Sequence, residues 1–200
     1  MVLTSGCLGV LTGSEPLSFG AAKATERQQT LSETGYRQVA VESQNDTRQF
    51  SAAGQTRNVT VTSWVSQYQR SVDLGALGSQ PAAVFVAIST PQVDVLGRTF
   101  NPVGDMSNRE LLEQLQSQYG RIQVGPQADS QNVTVLGSET TVSKFAGTAT
   151  LGGTSVDVYI HVTKVKHDGD FVVAVAIYPQ RLTGEQKRVF RLLDGLEHGQ

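Results

Sequence analysis

The sequence predicts an α+β domain, an antiparallel, strongly twisted β-sheet of about six or seven strands with helices packed on it. Three observations carry this expectation. Segments Asn132–Leu136, Thr140–Leu151, Thr154–Lys166 and Phe171–Tyr178 are rich in Val, Thr, Ile, Phe and Tyr, and they follow one another with turn residues between them, as in a meander. Two further segments, Ser107–Tyr119 and Thr183–Leu196, carry Leu and Val at helical spacing. A chain of 200 residues suits one domain with a real core, here residues 25–198, preceded by a leader and spacer at 1–24.

Taken in order, the chain opens Met1-Val-Leu-Thr-Ser-Gly-Cys7. Leu3 to Gly6 ahead of Cys7 read as the end of a lipoprotein signal: small residues admit a signal peptidase, and the thiol of a new N-terminal cysteine accepts a lipid. The Gly, Ser, Thr and Pro of Leu8–Lys23 suit a spacer. Thr25–Glu33 reads as a short helix closed by Gly35, and Tyr36–Glu42 as a first strand. Asn58–Tyr68 is apolar on both sides, and Ala83–Ile88 is continuously apolar, which places it inside the sheet. Gln92–Phe100 reads as a short strand or arm.

The helix Ser107–Tyr119 has Ser107 and Glu110 as a capping box and Gly120 as its stop. Thr183 and Gln186 offer the same box to the last helix, whose stripe is Val189, Leu192, Leu193 and Leu196. In the meander, Val156, Val158, Ile160 and Val162 alternate with Asp157, Tyr159, His161 and Thr163, which predicts one buried face and one that is polar or covered by a polar layer. Phe171–Tyr178 is apolar on both sides and reads as central, and Asp168-Gly169 predicts the tight turn leading into it.

Composition narrows the function classes. A net charge of −2 with 17% charged residues supplies no single-sign field for nucleic acid. The single cysteine excludes an intrachain disulfide and a cysteine metal cluster. No apolar run is long enough to span a membrane as a helix.

No phosphate loop, nucleophile elbow or His-Glu-x-x-His occurs. The sequence therefore assigns no catalytic residue, no cofactor and no metal. His161 with Asp157 on one strand face is the one starting point for an enzyme, and four residues of strand hold the two ~13 Å apart. His167, Asp168 and Asp170 read as turn chemistry, and His198 lies in the tail without a visible partner. Asn45, Asn58 and Asn132 stand in glycosylation sequons, a pattern that fits an exposed surface in an exported protein.

Four stretches together resemble a known family: Ser5–Gly9, Arg57–Trp64, Ser89–Asp105 with its Arg98-Thr-Phe-Asn-Pro-Val-Gly-Asp105, and His161–Pro179. They are similar to haloarchaeal lipoproteins that carry a domain of unknown function, and the likeness runs over nearly the whole chain. It implies that Cys7 is lipidated and that the domain faces outward. The chain differs from that family in its near-neutral charge and in showing no export signal ahead of Cys7. The order of elements is loosely similar to PsbP-like proteins, a likeness of fold alone.

The resulting expectation is an exported domain anchored by lipid at Cys7 to the outer face of the cell membrane. It acts as a non-enzymatic binding or accessory module for an unknown protein or small ligand, with Asp157, Tyr159 and His161 as its recognition face. The alternatives are a small enzyme with a site around His161 and a structural envelope component.

Overall fold

The computed structural model describes residues 17–52, 55–73, 78–95, 98–99, 102–119, 122–151 and 153–199. In chain order the strands are β1 (Leu17–Gly20), β2 (Ala24–Glu26), β3 (Arg37–Ala52), β4 (Gln55–Asp73), β5 (Ser79–Pro91), β6 (Asp94–Val95), β7 (Arg98–Thr99), β8 (Ile122–Val135), β9 (Ser138–Leu151), β10 (Thr154–His167), β11 (Asp170–Pro179) and β12 (Leu196–His198). The helices are α1 (Gln28–Thr34), α2 (Asn108–Tyr119) and α3 (Glu185–Gly195).

Strands occupy 65% of the structure and helices 20%, so the molecule is mostly β. This corrects the expected α+β domain with six or seven antiparallel strands: the main sheet is mixed and has eight. Seven strands run antiparallel in the order β3-β4-β5-β11-β10-β9-β8. The eighth, β1, lies parallel to β4 beside Val59–Thr62, on the edge where β5 pairs from Trp64 onward.

The excess over expectation comes from strands without an apolar signature. In β3, residues 42–49 are all exposed, yet each pairs with a residue of β4. An edge strand with solvated side chains gains its order from backbone pairing, which leaves no period-two pattern to read. The first part of β8 is similar, with bulges between Val124 and Asp129 where it meets β9. β1 lies in the stretch expected to be spacer.

Local signals in the interior strands hold. β5 and β11 pair at the centre of the sheet, and all but one residue of β11 is buried. The β10–β11 turn has Asp168 at φ 48° and Gly169 at φ 86°, the left-handed pair that a two-residue hairpin requires. Gly35 closes α1 at φ 74°, its N–H donating to Leu31 O. The box expected at Thr183 and Gln186 is not made: α3 starts behind Gly184, and Gln186 Oε1 accepts from Lys144 Nζ at 2.9 Å.

The two faces of the sheet carry separate cores. On one, Tyr68, Phe85, Val142, Val165, Ala174 and Tyr178 pack under α1 and α3 with Leu31, Val189, Leu192 and Leu193. The helices touch so closely that a Cβ on Gly195 would lie 2.3 Å from Thr30 Oγ1. On the other, Phe145, Val158, Ile160, Val162, Val173 and Val175 pack under Leu111 and Leu112 of α2.

Candidate functional site

Helix α2 is fixed over its face of the sheet by polar contacts at both ends. Ser107 N–H donates to Glu110 Oε2 at 2.7 Å and Glu110 N–H to Ser107 Oγ at 3.3 Å, so the predicted capping box is built. Asn108 Nδ2 donates to Thr141 O and Ser143 Oγ on β9. Lys164 Nζ, on β10, donates to the carbonyls of Val103, Gly104 and Met106 just ahead of the helix, and burial lowers its pKa. Gly104 is pressed against the Phe171 ring, where a Cβ would come within 2.8 Å. Toward the far end, Val124 N–H donates to Gln116 Oε1 at 3.2 Å.

Twelve residues of helix reach only about 18 Å. The seven antiparallel strands of the sheet are about 29 Å across, and α2 packs against β8 and β10 at one side of it. One helix cannot roof that face, and the shortfall leaves a cleft of about 410 Å³ between α2 and the sheet. Its floor is Val65 of β4, Val84, Val86 and Ile88 of β5, Val175 and Ile177 of β11 and Ile160 of β10; Leu112 and Leu115 of α2 and Ile122 and Val124 of β8 form its sides. Among the described residues that line it, Gln67 and Gln116 are the polar side chains and none is charged or aromatic. A concave, aliphatic surface of this size with two amides suits a small apolar ligand.

The opposite face is closed. Tyr36 Oη donates to Glu185 Oε1 at 2.8 Å, Arg70 Nε donates to the same oxygen at 3.2 Å, and Arg70 also pairs with Glu185 Oε2. Glu185 is fully buried and stands in the first turn of α3, where the helix dipole favours its charge. Burial, and then the neighbouring carboxylate, raise the Tyr36 pKa, so the phenol stays a donor.

His161 lies on this closed face, 2% exposed, which corrects the expected polar face on β10. Its ring stacks on Tyr178 with Nε2 2.9 Å from the phenol oxygen, and Phe190 of α3 meets it edge-on at 6.0 Å. Burial, followed by the Lys144 charge, pulls its pKa down to about 4. The space around it is too small for a water molecule. Period-two reading separated the faces of β10 correctly, but α3, arriving from elsewhere in the chain, covers the side holding His161 and Thr163.

The other expected positions fall as follows. Asp157 is exposed, and Tyr159 is half-buried with Lys144 Nζ 3.8 Å above its ring, so the two form no common open surface with His161. Asn45, Asn58 and Asn132 are exposed on β3, β4 and β8. Cys7 lies outside the described residues.

A family profile described as Domain of unknown function (DUF6517) matches residues 23–197. The chain belongs to this family. The DUF6517 match spans both faces of the sheet and the three described helices, so cleft and closed face fall inside one family unit. No curated protein matches the chain.

The cleft escaped sequence reading because Val84, Val86 and Ile88 look the same whether a helix or a ligand covers them. The signal that was present is quantitative: one 12-residue helix is too short for a seven-strand face.

Proposed function

We propose that this DUF6517 domain is a non-enzymatic binding module that takes an aliphatic chain into the cleft under α2. The cleft carries the reading. It has a floor of strands with α2 and β8 at its sides, and its branched aliphatic lining offers dispersion contacts with no charge to desolvate among the described residues. Gln67 and Gln116 supply hydrogen bonds for one polar end of the chain.

The module works outside the cell, held to the membrane by lipid on Cys7. Leu3–Cys7, the likeness to haloarchaeal lipoproteins and the exposed sequon residues Asn45, Asn58 and Asn132 support this placement. The space beside His161 is too small for a water molecule, so the reading as an enzyme centred there gains no support from the geometry.

Titration with a fluorescent long-chain fatty acid tests the ligand. Saturable one-to-one binding is expected, abolished by Val86→Trp, which fills the floor. Absence of saturable binding, or equal binding by the variant, rules the reading out. The anchor is tested separately by labelling with a lipid precursor in cells: label in the wild type and none in Cys7→Ser is expected, and unchanged label excludes Cys7.

A further inference from the structure

At the far end of the β10–β11 hairpin from the cleft, the fold assembles a second group of side chains that lie apart in the sequence. His167 ends β10, Asp168 forms the turn and His198 ends β12. One ligand atom from each, an imidazole nitrogen from both histidines and a carboxylate oxygen from Asp168, lies within 4.8 Å of the others. The two Nδ1 atoms are 3.0 Å apart with the rings at 83°, and Asp168 Oδ2 is 3.5 Å from His167 Nδ1.

The support behind His198 determines what its Nδ1 can do. Its Nε2 sits 3.1 Å from Asp170 Oδ2 and 3.0 Å from Ser89 Oγ. A carboxylate only accepts, so Nε2 carries the hydrogen and the Nδ1 of the neutral ring presents a lone pair toward His167. Asp170 is itself held, its Oδ2 accepting the Ala22 N–H at 2.8 Å. The His198 side chain is 1% exposed. A buried imidazole oriented by a carboxylate on its far nitrogen is the arrangement that fixes a metal-ligating histidine.

We propose that His167 Nδ1, His198 Nδ1 and the Asp168 carboxylate bind one borderline divalent transition ion of the zinc class. Two imidazoles select such an ion over calcium or magnesium, which take mainly oxygen donors. Nitrogens on a tetrahedral zinc with bonds of ~2.05 Å stand about 3.3 Å apart, so the rings separate by a few tenths of an ångström on binding. His167 moves its hydrogen from Nδ1 to Nε2, and no net proton transfer to solvent is needed when both rings start neutral. Asp168, with a side chain 78% exposed, opens the fourth position to water or an exchangeable ligand. The ion joins the last strand of the chain to a hairpin turn of the main sheet, and through the β12–β2 pairing it steadies the ribbon beside α1. This site is independent of the aliphatic cleft.

The full chain without a histidine tag, treated with chelator and dialysed, is titrated with zinc chloride by calorimetry, and separately with cobalt(II) by visible absorption. One ion per chain is expected, with a rise in Tm that chelator reverses and a cobalt spectrum of low coordination number. His167→Gln weakens binding by about 100-fold and Asp168→Asn by about 10-fold, on the scale typical of altered metal sites. Both changes lie on partly or fully exposed side chains, and Asn tolerates the left-handed turn position, so folding is retained. Failure of the wild type to bind zinc, or zinc affinity unchanged in both variants, overturns the proposal and leaves a hydrogen-bonded histidine pair.

Discussion

The two faces of the sheet use the same strands and reach opposite ends. Under α1 and α3, the side chains of β4, β5, β10 and β11 are sealed, and the face takes in polar groups with their partners: Arg70, Glu185 and Tyr36 in one network, His161 with Tyr178 in another contact. Under α2, the alternate side chains of those strands, Val65, Val86, Ile160 and Ile177 among them, line a cleft with no charged group among its described residues. The difference follows from the cover. Two helices in contact and the β2–β12 ribbon close one face, whereas a single helix leaves part of the other open. Each polar group a closed face buries without a partner costs stability, as at the Glu26 carboxyl and His161 Nδ1, which have no hydrogen-bond partner among the described residues, whereas an open aliphatic face needs only an occupant.

Breaking the closed face at its ion pair has the largest expected effect. Arg70→Ala leaves the fully buried Glu185 without its cation and is expected to cost ~3–5 kcal/mol in denaturant unfolding. The double change Arg70→Met with Glu185→Leu recovers most of that loss, because it removes both charges.

Truncation compares the faces directly. Leu192→Ala, at a fully buried position on α3, is expected to cost ~3 kcal/mol, and Leu115→Ala, at the cleft wall, ~1 kcal/mol, because solvent already reaches the space it vacates. Equal losses would mean the cleft is closed in solution.

Titration sharpens the contrast, since the perturbed groups with the clearest signs lie on the closed side. His161 is held at about 4 in the fold against an ordinary 6.5, so the unfolded chain binds more protons between those values. Its stabilising contribution is complete above pH 6.5 and is lost as pH falls toward 4, ~3 kcal/mol in all. Glu26 runs the other way. Burial pushes it up to about 9 from an ordinary 4.5, and neither carboxylate oxygen has a hydrogen-bond partner among the described residues. The folded chain keeps that proton, so its contribution is complete below pH 4.5 and is lost as pH rises toward 9. Glu26→Gln, which stays neutral, is expected to be ~2–3 kcal/mol more stable than the wild type at pH 7 and equal to it at pH 4, measured by chemical denaturation at each pH.

The smallest effect belongs to the open face's own fixing point. Ser107→Ala removes half of the capping box of α2 and is expected to cost ~1 kcal/mol in chemical denaturation. If the helix position sets the cleft, the same change weakens fatty-acid binding without altering the cleft wall.

Features decided within a few residues were legible in the sequence. The Ser107–Glu110 box, the Gly35 stop, the Asp168-Gly169 turn and the two-sided apolar run of β11 depend on backbone geometry and near neighbours, and each is present as expected. Tertiary structure decided the rest because it depends on what arrives from far along the chain. Pairing with β4 makes a strand of the polar segment 42–49, and α3 closes over His161 and separates it from the exposed Asp157. A short α2 leaves an opening over valines that otherwise read as buried, and β12 carries His198 to His167 across 31 positions. Side-chain pattern records which residues avoid water; it does not record whether helix, ligand or neighbouring strand excludes the water, and that choice sets both candidate sites.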